Sequence, residues 1–237
     1  MFARWAFLVA GLVLTGCTMP PIADAPDPAP AILPPVQGFD IPRNAGAIQR
    51  AFIEVVDRVE PVAEAECRRT TPRRNCDFLI VVDDRPGVPA NAFQTLDDDG
   101  RPVIGFTLAL IADARNRDEL AFVMAHEAAH HIAGHIARQQ RNATLGALVF
   151  GQLAGATGGD VAVAQDLGAA LGARSYSKEF ELEADRLGAI VAAKAGFDPL
   201  RGAAFFFRIP DPGDRFLGTH PANADRIETV RAAIGGL

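Results

Sequence analysis

The stretch His126-Glu127-Ala128-Ala129-His130 has residue types and a spacing suited to binding a metal ion and activating water. A helix turns by about 100° per residue, so His126 and His130 lie one turn apart on one face. Two imidazoles at this spacing can bind one tetrahedral ion. Glu127 points to the side, where its carboxylate can reach a water on the metal without being a ligand. Two surface histidines on an alanine-rich helix are the alternative interpretation.

The element that must position these histidines is a predicted helix over residues 116–140. Asn116 is a favourable N-cap, and Glu119 three residues later completes a capping-box pattern. On a continuous helix His135 would lie about 180° from His126, and His131 about 140° from it. Neither is therefore expected to join the site.

A second predicted helix, over residues 177–195, supplies the third ligand that a catalytic zinc usually requires. Glu181 and Asp185 lie on one stripe with small residues that would let this helix approach the first closely. We assign Glu181 as the ligand, and Asp185 as the residue that orients a liganding histidine through its free ring nitrogen. Glu179 and Glu183 are expected at the surface.

Further candidates lie outside these two helices. His220 precedes a predicted last helix over residues 222–234, and it could bind the metal at rest or hydrogen-bond a developing oxyanion. A surface histidine remains an equal alternative for His220. Tyr176 is a weaker candidate for the oxyanion role, and Arg226 could position the loop that carries His220.

Three apolar runs before the metal helix predict strands, at residues 77–82, 91–94 and 102–107. The third is expected to return antiparallel after a turn at residues 97–100. A strand edge beside a metal site can hold a substrate backbone by strand addition. We assign that role to Val103, Ile104, Gly105 and Phe106, with an ordinary sheet strand as the alternative.

The remaining segments complete an α+β, mainly helical fold with a small antiparallel sheet packed beside the metal-binding helix. A helix is predicted over residues 45–65, and Pro61 near its end could kink or stop it. Residues 144–173 are rich in glycine, alanine, valine and leucine. They predict either two tightly packed helices or a mobile flap over the cleft, and a surface that touches a membrane is a minor alternative.

The N-terminus resembles the leader of a bacterial lipoprotein. An apolar run from Ala6 to Leu14 precedes Thr15-Gly16-Cys17, which is similar to a lipobox. We predict a signal peptide over residues 1–16, a lipidated Cys17 within a proline-rich tether over residues 17–42, and a domain over residues 43–237. An uncleaved anchor helix is the alternative. Thr18 favours the periplasmic face of the outer membrane.

The cysteine count agrees with an exported chain. Three cysteines leave Cys67 and Cys76 as a pair once Cys17 is lipidated, and an oxidising compartment favours a disulfide between them. Free thiols or metal ligands are the alternatives. The net charge is −6, and charged residues of both signs are interspersed along the 237 residues. The short basic clusters do not predict a nucleic-acid partner.

These motifs together resemble the HtpX-like and CAAX-endopeptidase-like zinc metallopeptidases of the gluzincin clan. The resemblance covers about residues 81–234 and is carried by segments at residues 91–93, 119–127, 181–186, 196–199, 220–221 and 226–227. It implies one zinc ion per chain, held by His126, His130 and Glu181, with Glu127 as catalytic acid and base. The chain resembles most the small lipoprotein members, without the appended domain that selects substrates in others.

The resemblance implies a zinc-dependent endopeptidase that cleaves unfolded or misassembled envelope proteins. A lipid anchor would hold it at the membrane. A non-catalytic envelope chaperone or assembly lipoprotein that uses the same cleft is the competing hypothesis. A closed structural zinc site is weaker, because such sites rarely keep a free glutamate beside a liganding histidine.

Overall fold

A computed structural model describes residues 40–174, 177–208 and 221–236. The described elements are the α-helices, a 3-10 turn at Ala204–Arg208 and three strands. The helices are α1 (Ala45–Thr70), α2 (Leu108–Asp113), α3 (Arg117–Ala133), α4 (His135–Thr157), α5 (Val161–Arg174), α6 (Ser177–Lys194), α7 (Pro199–Ala203) and α8 (Asn223–Ile234). The strands are β1 (Leu79–Asp83), β2 (Ala92–Leu96) and β3 (Pro102–Thr107). The predicted α+β, mainly helical class is confirmed.

Helix α3 is the central element of the core. Asn116 caps it by accepting a hydrogen bond from the backbone N–H of Glu119, at 3.0 Å. The Glu119 carboxylate accepts from the backbone N–H of Arg115, at 2.7 Å, one residue before the predicted capping-box partner. Most α3 side chains are buried, because α1, α6, α7 and the sheet surround the helix.

The predicted single helix over residues 116–140 is wrong, because α3 ends at Ala133 and Gly134 caps it. Gly134 has φ 71°, a left-handed conformation that glycine adopts without steric cost. Its N–H closes the last turn of α3 on the carbonyls of His130 and His131, and α4 then starts in a new direction. The sequence signal was the lone glycine in an otherwise alanine-rich run.

The sheet has the order β1-β3-β2. Strands β2 and β3 pair antiparallel, as predicted, with Phe93 opposite Gly105. Strand β1 pairs parallel with β3, so the sheet is mixed rather than purely antiparallel. The central position of β3 explains why all six of its residues are buried.

Helix α1 packs its apolar stripe on α3 and continues through Pro61 to Thr70, beyond the predicted end. Asn44 caps its first turn by accepting from the backbone N–H of Ala47. Cys67 near its last turn forms the predicted disulfide with Cys76. The short loop closed by this bond carries Arg74, whose guanidinium donates to the carbonyl of His131 at the end of α3.

The glycine- and alanine-rich segment forms two packed helices, α4 and α5, one of the two predicted outcomes. These helices contact mainly each other. None of the helices in the described part of the chain combines the length and the apolar character that crossing a bilayer requires.

Candidate metal centre

Three predicted ligands meet between α3 and α6. The Nε2 atoms of His126 and His130 lie 3.0 Å apart, and the Glu181 carboxylate lies 3.5 Å from the first and 3.4 Å from the second. For zinc bonds of about 2.0–2.1 Å, a tetrahedron has edges of about 3.4 Å. Two imidazole nitrogens and one carboxylate at these separations fit a zinc ion and leave its fourth position open.

Close packing of α6 on α3 brings Glu181 to the histidines. A Cβ added at Gly188 would lie 2.9 Å from the backbone nitrogen of His126 and 3.0 Å from its Cα. Only a glycine therefore allows this approach. The predicted stripe of small residues on α6 forms the contact with α3, and the carboxylates of Glu181 and Asp185 lie on the same side of the helix.

Asp185 supports His126 from behind. Its Oδ1 lies 2.9 Å from Nδ1 of His126, which leaves Nε2 directed toward the other ligands. The carboxylate is fully buried and receives two hydrogen bonds of 2.7 Å from Arg226 on α8. Burial alone would raise the pKa of Asp185, but Arg226 and His126 hold it below its usual value. The prediction that Arg226 positions the His220 loop remains untested, and its bidentate contact with Asp185 was not predicted.

His135 lies against Nδ1 of His130, as Asp185 lies against Nδ1 of His126. This contact contradicts the prediction that His135 lies away from the site. The Nδ1 atoms of His135 and His130 are 2.8 Å apart, and Nε2 of His135 lies 3.3 Å from the Glu183 carboxylate. Arg138 donates to the same carboxylate at 2.6 Å. The turn at Gly134 redirects the chain and brings His135 back to α3, and Glu183 thereby gains a site-related partner instead of facing only solvent.

The two ligand histidines differ in protonation. Burial lowers the pKa of His126, but the adjacent Asp185 and Glu181 carboxylates outweigh it and raise the value to about 10. Burial and the neighbouring His126 lower the pKa of His130 to about 3. At neutral pH His126 is therefore protonated and His130 is neutral, and their Nε2 atoms are in contact.

Glu127 lines a cleft of about 680 Å³ that opens onto the three donor atoms. The cleft walls come from β2, α3, α4, α6, the 3-10 turn and α8. Phe122, Phe180 and Phe206 give these walls an apolar character, while Glu127 is half-buried. This space can admit an extended peptide segment beside the donor atoms.

The assignment of Val103, Ile104, Gly105 and Phe106 as an exposed substrate strand is wrong. They lie in β3, whose two edges are already paired with β1 and β2. The strand at the cleft is β2, where Ala92, Phe93 and Gln94 line the cavity. Strand β2 pairs on one side only in the described sheet. Sequence order alone suggested β3, because it directly precedes the helical part of the chain.

Several predicted residues lie outside the described parts of the chain. They are Cys17, Tyr176 and His220, together with the signal peptide and nearly all of the tether. Their predicted roles in lipidation and in oxyanion or metal binding stay predictions.

Comparison with known proteins yields a family and several relatives. The model of Peptidase family M48 matches residues 50–234. A putative beta-barrel assembly-enhancing protease of Vibrio cholerae is 35% identical over 139 residues, which cover 52% of this chain and 28% of that protein. The beta-barrel assembly-enhancing protease of Escherichia coli O157:H7 has the same identity and coverage. Mitochondrial metalloendopeptidase OMA1 of Saccharomyces cerevisiae is 30% identical over 162 residues, 64% of this chain and 45% of that protein. The matched regions thus span less than half the length of these relatives.

Proposed function

Because the chain belongs to Peptidase family M48, we propose that it is a zinc-dependent endopeptidase of the bacterial envelope. The observation that carries this proposal is the tetrahedral spacing of the His126, His130 and Glu181 donor atoms at the floor of a cleft lined by Glu127. Bound zinc would lower the pKa of a coordinated water to about 7 and polarise the scissile carbonyl.

The protein's own residues supply the proton transfers and the orientation. Glu127 accepts the proton of the attacking water and returns it to the leaving amine. Asp185 and His135 hold the rings of His126 and His130 with one nitrogen of each ring toward the metal position. The apolar walls of Phe122 and Phe206 reduce the access of bulk water to the reacting groups.

We assign the binding of the substrate backbone to strand β2. Its outer edge, which no other described strand pairs with, borders the cleft, so an extended peptide can add to the sheet as a further strand. Main-chain hydrogen bonds would then bind substrate segments of many different sequences. Such binding suits unfolded or misassembled envelope proteins as substrates. The names of the two bacterial relatives describe the relatives themselves as proteases that enhance β-barrel assembly.

The lipobox-like N-terminal segment supports a proposal for the place of action. We propose that residues 1–16 are removed, that Cys17 is lipidated, and that residues 17–42 tether the domain over residues 43–237 to the periplasmic face of the outer membrane. Incorporation of labelled fatty acid into the chain, and its loss in Cys17→Ala, tests the anchor.

Metal analysis combined with casein digestion tests the activity. We expect about one zinc per chain, hydrolysis that stops when a chelator removes the metal, and recovery when zinc is added back. Hydrolysis that persists after the zinc has been removed would refute the proposed activity. A zinc-loaded chain that binds casein without cleaving it would instead support the chaperone alternative.

A further inference from the structure

The hairpin formed by α4 and α5 has its apolar side chains on the outside. Six aliphatic residues of this hairpin are each between 53% and 64% exposed: Leu145, Leu148, Val149, Leu153, Val163 and Leu167. On α4, the positions of Leu145, Leu148 and Val149 recur at the three- and four-residue spacing of one helical face. Exposed aliphatic residues at this density mark a surface that another phase or molecule covers.

On the inner face of the same hairpin, α4 and α5 contact each other through glycine residues. A Cβ added at Gly146 would lie 2.0 Å from the carbonyl oxygen of Gly168, and one at Gly172 would lie 2.1 Å from that of Asn142. The two backbones therefore touch. In water a helical hairpin buries its large apolar residues between its helices, whereas helices in lipid pack through small residues and turn the large ones outward. The α4–α5 hairpin follows the second pattern.

Charge distribution favours a lipid surface over a second protein. No charged side chain occurs on α4 after Arg141. Arg141, in the first part of α4, and Arg174, at the end of α5, are both exposed at the base of the hairpin. Cations at that position suit anionic headgroups beside an apolar surface. Asp160, at the tip, accepts hydrogen bonds from the backbone N–H groups of Ala162 and Val163, and Asp166 lies exposed on α5. Exposed acids suit the headgroup–acyl boundary better than the hydrocarbon interior of a bilayer.

We propose that the outer face of α4, presented by the α4–α5 hairpin, docks on a lipid bilayer. The proposed lipid anchor at Cys17 already keeps the domain within reach of that bilayer, and the hairpin adds a second, non-covalent contact. A flexible tether leaves the orientation of the domain open, so a second contact would orient the cleft relative to the membrane.

Tryptophan fluorescence tests this contact in the full chain, whose sequence contains tryptophan only at position 5. Val149→Trp places a reporter on the outer face of α4. Ile53→Trp is the matched control, since Ile53 is an exposed β-branched residue on a helix away from the hairpin. Each variant is reconstituted with phosphatidylethanolamine–phosphatidylglycerol vesicles that carry brominated acyl chains. Subtraction of the parent signal removes any contribution of Trp5.

We expect the emission of Val149→Trp to shift to the blue and to be quenched by bromine, and that of Ile53→Trp to do neither. Absence of quenching at position 149, with the same result in Leu153→Trp, overturns the proposal, and so does equal quenching at position 53. A blue shift without quenching, together with a dimer in sedimentation that Val149→Glu dissociates, assigns the face to a second copy and also overturns it. Zinc content and casein hydrolysis of the same variants report separately on the proposed peptidase activity.

Discussion

At His126 two carboxylates face one imidazole. The pKa of about 10 means that this ring keeps its proton at neutral pH when no metal is bound, while His130, with a pKa of about 3, stays neutral. A metal ligand must be deprotonated, so a metal that binds here must displace the His126 proton. The carboxylate of Asp185 keeps a proton on Nδ1 of His126. Nε2 of His126 is then the nitrogen that binds the metal.

This protonation state predicts the pH dependence of zinc binding. Binding should release one proton per zinc at neutral pH, and affinity should fall about tenfold for each unit of decrease in pH below the His126 value. Calorimetry in buffers of different ionisation enthalpy measures the released proton directly. Binding without proton release near pH 7 would show that His126 is neutral before the metal arrives.

His135 should act as a positioning residue for zinc through His130. Its Nδ1 lies 2.8 Å from that of His130, so its removal frees the ligand ring to rotate. Loss of such an outer partner typically weakens metal binding about 10–100-fold. We expect that range for His135→Ala in competition with a chelator. His131→Ala is the matched control, because His131 is buried next to His130 but contacts the carbonyl of Asn75 instead. Equal zinc affinity in both variants would refute the positioning role.

At the scale of elements, the approach of α6 to α3 decides whether the site exists. In Gly188→Ala the new Cβ would meet the backbone of Ala125 and His126, so the helices must move apart. Overpacking of this kind costs about 1–3 kcal/mol of unfolding free energy, and the displacement of Glu181 should weaken zinc binding as well. Urea unfolding and chelator competition measure the two effects.

Gly155→Ala on α4 is the control for glycine replacement. Its added Cβ would meet only a Val161 methyl group, at 3.8 Å. Removal of a helix-interior glycine without a clash should stabilise the protein by about 0.5–1 kcal/mol. If Gly188→Ala behaved like Gly155→Ala, close helix contact would not be what positions Glu181.

Helical periodicity predicted the ligand set but could not predict the turn beside it. The positions of His126, His130 and Glu181 follow from the 100° step and from the small residues of α6, which are local features of the sequence. His135 was misplaced because a single glycine in an alanine-rich helix is compatible both with continuation and with a left-handed C-terminus. Only the contact of α4 with the rest of the fold decides between them.

Strand positions were likewise easier to predict than strand neighbours. The bounds of β3 match the predicted run, since apolar β-branched residues between turn signals are a local pattern. Its place between β1 and β2 depends on a parallel pairing across sequence-distant segments. The partners of Asp185 were missed for the same reason, because Arg226 reaches it from a helix 41 residues further along the chain.

At the scale of the whole molecule, the disulfide Cys67–Cys76 attaches the end of α1 to the segment that leads into the sheet. Opening a loop of this length should cost about 2–3 kcal/mol of unfolding free energy. We expect Cys67→Ser/Cys76→Ser to unfold at a lower urea concentration and to retain zinc binding, because the metal ligands lie on α3 and α6. An unchanged unfolding midpoint would refute the stabilising role.

In the proposed mechanism one divalent ion and one carboxylate act together on a peptide bond, and Glu127→Gln removes the carboxylate while leaving the metal ligands in place. Glutamine keeps the shape of the side chain but cannot accept the proton of water, so hydrolysis of casein should fall by about 10²–10⁴-fold. Zinc content, measured on the same sample, should stay near one ion per chain, because Glu127 is not among the three metal ligands. A Glu127→Gln protein that binds zinc and cleaves casein at the wild-type rate would refute the proposed role of Glu127.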